Sequence, residues 1–125
     1  MRILVVDRNA AVCSAVTLYL QNMLEQDTVC EAGDDEQLLA QAEVFRPDIV
    51  LLDWGLPGPA RTDLLASLHA VDPRPGVIVL GSLLEQRQDA LAAGADYFVC
   101  KGDPPRRLLA AMRLAMADCG AGQGL

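Results

Sequence analysis

Residues 48–58 read DIVLLDWGLPG and join a short apolar run to a turn rich in glycine and proline. The run Ile49–Leu52 is short and consists of branched apolar side chains, so it predicts a β-strand that is buried on both faces. Such strands belong to parallel sheets, and open α/β folds place their sites at the carboxyl edge of the sheet. Asp53 is therefore expected at that edge, either as a functional carboxylate or only as an acceptor for turn amides.

Short apolar runs alternate with amphipathic segments along the rest of the chain. Four further runs are predicted as strands, at Arg2–Val6, 27–32, 77–80 and 97–100. Apolar residues at helical spacing predict helices at about 9–24, 34–46, 64–71, 84–93 and 104–118. Five strands alternating with five helices predict an α/β fold in which helices cover both faces of one parallel sheet.

Composition narrows the class of protein. The chain has 125 residues, of which 52% are hydrophobic, so a single domain with one well-filled core is expected. Its net charge of −7 argues against direct nucleic-acid binding. Four scattered cysteines and one histidine do not have the spacing of a zinc site. No signal peptide is visible and no run approaches the roughly 20 apolar residues of a membrane span, so a cytoplasmic protein without membrane contact is expected.

Charged residues end three of the predicted strands. These residues are Asp7, Asp53 and Lys101. Because the carboxyl ends of parallel strands lie along one edge of a sheet, we expect the three side chains to converge there. Two neighbouring carboxylates repel each other, and a divalent cation or a lysine ammonium would offset that repulsion. Such a site can accept a phosphoryl group on a carboxylate.

The order and spacing of these motifs resemble the receiver domain of two-component response regulators. The matching segments are Ile3–Asp7, Asp48–Gly58 and Ala93–Lys101. The resemblance implies a flavodoxin-like (βα)5 sandwich with a five-stranded parallel sheet in the order 2-1-3-4-5. It predicts a receiver domain over residues 1–118, with 119–125 as a flexible tail or the start of a linker.

The resemblance also implies a role for each residue at the predicted edge. Asp53 matches the phosphoacceptor and, with Asp7, a ligand of Mg²⁺. Gly55 matches the position whose carbonyl binds the metal, and Lys101 matches the lysine that contacts the phosphoryl group. Phe98 lies where the family often has a switching aromatic. A signalling domain rather than an enzyme is implied, with a sensor histidine kinase or phosphotransfer protein as its partner.

The chain departs from the family pattern at several positions, which makes it an atypical member. Arg8 replaces a second acidic metal ligand, so Mg²⁺ binding is expected to be weak or lost. Gly81 replaces the usual Thr or Ser, with Ser82 available only if the register shifts by one, and Gly102 replaces a usual proline. One hypothesis has Arg8 pairing with the predicted carboxylates in place of the metal; the other has it pointing into solvent.

Three functions can be weighed against these residues. The leading one is a receiver that accepts a phosphoryl group on Asp53 and switches the face formed by the fourth helix, fifth strand and fifth helix. That face could also form a homodimer, and an effector domain could follow in a longer protein. The alternative, suggested by Arg8 and Gly81, is a degenerate pseudo-receiver that acts as a phosphorylation-independent interaction or dimerisation module. A flavin-binding electron carrier is disfavoured, because the loop after the first strand lacks hydroxyl groups.

Overall fold

The computed structural model describes residues 2–7, 16–18, 28–55, 61–71 and 74–123. The strands are Arg2–Val6 (β1), Thr28–Ala32 (β2), Ile49–Asp53 (β3), Gly76–Gly81 (β4) and Tyr97–Cys100 (β5). The helical segments are 16–18 (α1), Asp35–Phe45 (α2), Arg61–His69 (α3), Gln86–Ala93 (α4) and Pro105–Gln123 (α5). Residues 56–60 of the loop predicted at 54–61, Arg8, and most of the predicted first helix lie outside these residues.

The five strands form one parallel sheet in the order β2-β1-β3-β4-β5. The central strand β3 is buried along its whole length, and its first residue, Ile49, pairs with Ile3 of β1 and Gly76 of β4. This arrangement confirms the predicted fold class and strand order. It also places the ends of β1 and β3 side by side, where the strand order reverses.

Alternating side chains of the sheet divide the core into two apolar layers. On one face, Val50 and Leu52 pack with residues of α2, α3 and α4. On the other face, Ile49 and Leu51 pack with α5, including the buried Met112. Burial of a large apolar side chain stabilises a fold by about 1.5–3 kcal/mol, so both layers contribute strongly to holding the sheet edge in place.

The ends of α2 and α4 have local causes in the sequence. The Asp34 carboxylate accepts a hydrogen bond from the backbone N–H of Gln37 at 2.8 Å and caps α2. Arg46 ends α2 in the left-handed conformation, with φ at 51°, just before Pro47. Gly94 ends α4 with φ at 119°, which a residue with a Cβ rarely adopts.

Helices α3, α4 and α5 have boundaries that differ from the prediction. Helix α3 spans Arg61–His69 rather than 64–71. Helix α4 begins at Gln86 rather than 84, because residues 84–85 form a turn. Helix α5 begins at Pro105 rather than 104 and continues to Gln123 instead of ending at about 118. A growing helix gains one hydrogen bond per added residue, and a glycine in its interior costs only about 1 kcal/mol. The glycines after residue 118 therefore do not terminate it, and the linker expected at 119–125 stays a prediction.

The described residues include several helices that could be considered against the thickness of a bilayer. None of them is both long enough and apolar enough to cross a membrane.

Candidate functional site

Three strand ends bring the predicted charged residues to one edge of the sheet. Asp7 follows β1 directly, Asp53 is the last residue of β3, and Lys101 follows β5. The residues that precede the two acids, Val6 and Leu52, pair across β1 and β3. The backbone N–H of Lys101 donates to the carbonyl of Gly81 at 2.8 Å, which fixes the lysine beside the end of β4.

The Lys101 ammonium bridges the two carboxylates. Its Nζ lies 3.1 Å from Asp7 Oδ2 and 2.9 Å from Asp53 Oδ1. Asp7 and Asp53 are only 5% and 8% exposed, respectively. Buried charges are tolerated when they are paired, so the lysine offsets the repulsion between two acids that water can barely reach.

The two acids also affect the protonation of the lysine. Partial burial by itself lowers the pKa of Lys101, but the hydrogen bonds and charges of Asp53 and Asp7 together outweigh it and raise the pKa above its ordinary value. Lys101 is therefore a permanent positive charge at neutral pH.

The turn after β3 contributes a backbone donor to the same site. The N–H of Gly55 donates to Asp53 Oδ1 at 3.1 Å, so the turn amide and the ammonium share one carboxylate oxygen. Trp54 is buried, and its backbone N–H donates to the carbonyl of Leu80 at 2.9 Å. Asp53 thus accepts a hydrogen bond from a turn amide, which was one of its two expected roles. It also belongs to the charged cluster with Lys101 and Asp7.

Sequence comparison identifies the family of this chain. The model of the response regulator receiver domain matches residues 3–113. The chain belongs to the response regulator receiver domain family. The DNA-binding response regulator MtrA of Mycobacterium tuberculosis (strain ATCC 25618 / H37Rv) is 35% identical over 115 residues, which cover 90% of this chain and 49% of MtrA. The receiver domain described here therefore spans about half the length of that relative.

Solved structures of receiver domains resemble this one. A CheY-like receiver domain protein from Methanospirillum hungatei JF-1 has a TM-score of 0.79 at 29% identity and covers 94% of both chains. The BeF3-activated N-terminal receiver domain of Klebsiella pneumoniae RstA has a TM-score of 0.79 at 27% identity, covering 92% of this chain and 97% of that one. The resemblance inferred from the strand-end motifs is confirmed.

The receiver family generally binds Mg²⁺ at its acidic edge, and the residues present here suit that ion in part. Mg²⁺ is commonly held by one or two carboxylates, with water and phosphate oxygens completing its octahedron. Asp7 and Asp53 provide that pair, although the described residues contain no cluster of three or more His, Cys, Asp or Glu side chains able to hold a metal. Arg8 lies outside the described residues, so its two predicted placements stay open.

Two side chains at this edge of the receiver domain, those of Phe98 and Gln86, lie close to Gly81. A Cβ built on Gly81 would lie 2.6 Å from Phe98 Cε2 and 2.7 Å from Gln86 Oε1. Phe98 was singled out through the family resemblance, whereas Gln86 was not. Sequence reasoning had no signal for Gln86, because its contact with the site depends on how α4 packs against β5.

The remaining site residues have simpler surroundings. Gly55 lies next to Asp53, and the metal-binding role of its carbonyl stays a prediction. A Cβ on Gly102 would meet nothing within 4 Å. Packing therefore does not require a glycine at this position, where the family usually has a proline.

Proposed function

We propose that Asp53 of this receiver domain accepts a phosphoryl group from a sensor histidine kinase or phosphotransfer protein of a two-component system. The observation that carries the proposal is the Lys101 ammonium, held 2.9 Å from Asp53 Oδ1 and 3.1 Å from Asp7 Oδ2. A phosphoryl group on Asp53 would bring additional negative charge to a buried acidic edge, and a fixed positive charge already lies there to receive it.

The transfer is a displacement at phosphorus. An oxygen of Asp53 forms a bond to phosphorus as the bond to the donor's histidine nitrogen breaks, and the electron pair of that bond stays on the imidazole. Lys101 stabilises the charge on the transferred oxygens, and the Gly55 N–H orients the carboxylate. When bound, Mg²⁺ supplies further positive charge to those oxygens. Asp7, Asp53 and the carbonyl of Gly55 would hold the ion.

The output is proposed to be a change of packing on the face formed by α4, β5 and α5. This face carries exposed apolar side chains, among them Leu91 on α4 and Leu114 on α5. Exposed acids on α4 and exposed arginines on α5 provide complementary charge for a homodimer: Glu85, at the N-cap, and Asp89 on one side, Arg106 and Arg113 on the other. The name of the DNA-binding response regulator MtrA suggests a DNA-binding effector domain in a longer protein. We further propose that this longer protein is cytoplasmic and that the receiver domain acts in it as a signalling component rather than an enzyme.

The test uses intact mass and the fluorescence of Trp54, which is the only tryptophan. The protein is incubated with Mg²⁺ and acetyl phosphate for the mass measurement and with Mg²⁺ and beryllofluoride for fluorescence. We expect a gain equal to one phosphoryl group and a change in emission. Both should be lost in Asp53→Asn and kept in Asp63→Asn, which removes an exposed acid of α3. A mass gain that persists in Asp53→Asn would disprove the proposal.

A second candidate is the pseudo-receiver that binds its partner without phosphorylation. It is favoured by Gly81, where a hydroxyl side chain is replaced by space that Phe98 and Gln86 fill, and by Arg8 in the sequence. No mass gain and no fluorescence change in the unsubstituted protein, with dimerisation unaffected by Asp53→Asn, would favour this candidate over the first.

A further inference from the structure

The side-chain amide of Gln86 lies at the end of β4, next to the charged cluster. Gly81, the last residue of β4, lies between the strand that carries Asp53 and the strand that leads to Lys101. Its neighbour Leu80 pairs with Asp53, and its own carbonyl accepts the N–H of Lys101. A Cβ on Gly81 would lie 2.7 Å from Gln86 Oε1. The amide of Gln86 therefore takes up part of the room that a side chain at position 81 would need.

The hydrogen bonds of Gln86 fix which way its half-buried amide points. The N–H of Leu83 donates to Gln86 Oε1 at 3.1 Å, and the backbone N–H of Gln86 donates to the carbonyl of Leu83 at 3.1 Å. A backbone N–H can only donate, so the atom that it meets must be the amide oxygen. The amide nitrogen, Nε2, carries two N–H donors and has no acceptor among the residues that the structure describes. Gln86 therefore holds a positioned pair of donors that none of those residues uses.

A phosphoryl group on Asp53 would need more donors than the strand ends provide. It brings three strong acceptor oxygens and a charge of about −2. Lys101 contributes its ammonium, and the N–H of Gly55 is directed at the carboxylate itself. Gly81, although it lies beside Asp53, has no side chain with which to donate. Hydrogen bonds to ionised oxygens are about twice as strong as neutral ones, so an unused donor pair next to this cluster has a strong acceptor to gain.

We propose that Nε2 of Gln86 donates a hydrogen bond to an oxygen of the phosphoryl group on Asp53, while Oε1 keeps its bond from the N–H of Leu83. Gln86 is then a phosphoryl-binding residue that supplies, from the first turn of α4, the contact that Gly81 cannot make. This inference rests on the proposed function, because it requires Asp53 to accept a phosphoryl group. It adds a helix residue to a site otherwise built from strand ends and the turn after β3.

The test compares Gln86→Glu with Gln88→Glu in the whole chain. Beryllofluoride takes the place of a phosphoryl group on a carboxylate, and its binding in the presence of Mg²⁺ is followed by the emission of Trp54. Glutamate at position 86 can still accept the N–H of Leu83, but it offers no donor and repels the anion. Gln88 is exposed on the same helix and receives the same charge. We expect the apparent dissociation constant to rise about tenfold or more in Gln86→Glu and less than about threefold in Gln88→Glu.

A neutral substitution separates the lost donor from charge repulsion. Methionine is unbranched and uncharged, so Gln86→Met removes the donor alone, with Gln88→Met as its control. We expect the dissociation constant to rise about fivefold or more in Gln86→Met and to stay unchanged in Gln88→Met. A rise in Gln86→Glu without one in Gln86→Met would overturn the proposal. Hydrogen exchange at the N–H of Leu83, expected to be unchanged in Gln86→Glu, checks that the start of α4 is kept.

The same measurements distinguish this inference from the proposed function. If beryllofluoride changes the emission of Trp54 in the unsubstituted protein, and both variants at position 86 behave like their controls at position 88, only the role of Gln86 is overturned. If the unsubstituted protein shows no change in emission and acetyl phosphate adds no mass, phosphoryl acceptance by Asp53 fails, and the role of Gln86 fails with it.

Discussion

Lys101 is the residue on which the electrostatics of the site depend. It faces two acids that are more than nine-tenths buried, and its ammonium contacts one oxygen of each. Removing one partner of such a cluster leaves like charges close together with poor access to water, which costs more than the pair itself contributes.

We predict that Lys101→Met lowers the free energy of unfolding by about 1–3 kcal/mol at pH 7, measured by urea denaturation. Because the acids raise the pKa of Lys101 in the folded protein, its stabilising effect is complete below the unfolded value of about 10.4. The effect disappears as pH rises through the higher folded value. The difference between the two proteins should therefore be constant from pH 7 to about 9 and shrink only above about 10.4.

Arg107→Met is the control for this prediction. Its pair with Asp103 is 3.9 Å long and its side chain is 67% exposed, so its loss should change stability by less than about 1 kcal/mol. Similar losses in the two variants, or a Lys101 contribution that falls between pH 7 and 9, would contradict the assignment of Lys101 as the counter-charge.

At the scale of single elements, α2 shows how local sequence sets a boundary. The Asp34 carboxylate caps the helix through the N–H of Gln37, and the Gln37 Oε1 accepts from the N–H of Gly33 at 2.8 Å. The first bond satisfies a donor that the first turn of a helix otherwise leaves unpaired, and the second ties the Gln37 side chain to the residue before the cap.

Asp34→Ala is expected to destabilise the domain by about 1 kcal/mol, within the usual range of about 0.5–2 kcal/mol for a lost cap. Thermal or urea unfolding measures the change. Glu43→Ala, at an exposed position of the same helix, should change stability by no more than about 0.5 kcal/mol. A cap variant as stable as the unsubstituted protein would show that the carboxylate does not stabilise the start of α2.

At the scale of the whole molecule, the buried sheet connects the site to both apolar layers. Leu51 is fully buried in the central strand and packs in the layer that includes α5. The next position but one along the strand is Asp53, so packing around β3 also positions the phosphoacceptor candidate.

Leu51→Ala should therefore cost about 2–5 kcal/mol in the free energy of unfolding, as deletion of buried methyl groups does. Domains of this size are stable by only about 5–15 kcal/mol, so the melting temperature should fall clearly in a calorimetric scan. Val44→Ala is the matched control, since Val44 is 83% exposed. If Leu51→Ala and Val44→Ala had the same melting temperature, β3 would not be the centre of the core.

Much of the architecture was predictable because its signals are local. The apolar runs at Arg2–Val6 and Tyr97–Cys100 coincide with the observed strands, and the helix predicted at about 34–46 is observed as α2, which begins at Asp35 with Asp34 as its cap. The end of α5 was predicted wrongly, because glycines in the sequence indicate a break while helix propagation tolerates them.

The sequence by itself determined the alternation of strands and helices, and with it the edge at which Asp7, Asp53 and Lys101 meet, because hydrophobic periodicity and strand ends are properties of neighbouring residues. Only the tertiary structure decided that one ammonium contacts both acids and that Phe98 and Gln86 occupy the space above Gly81. The ammonium contacts join residues far apart in the chain, and the contacts at Gly81 bring together three different elements. Their distances depend on how helices pack against the sheet, which no local pattern of residues specifies.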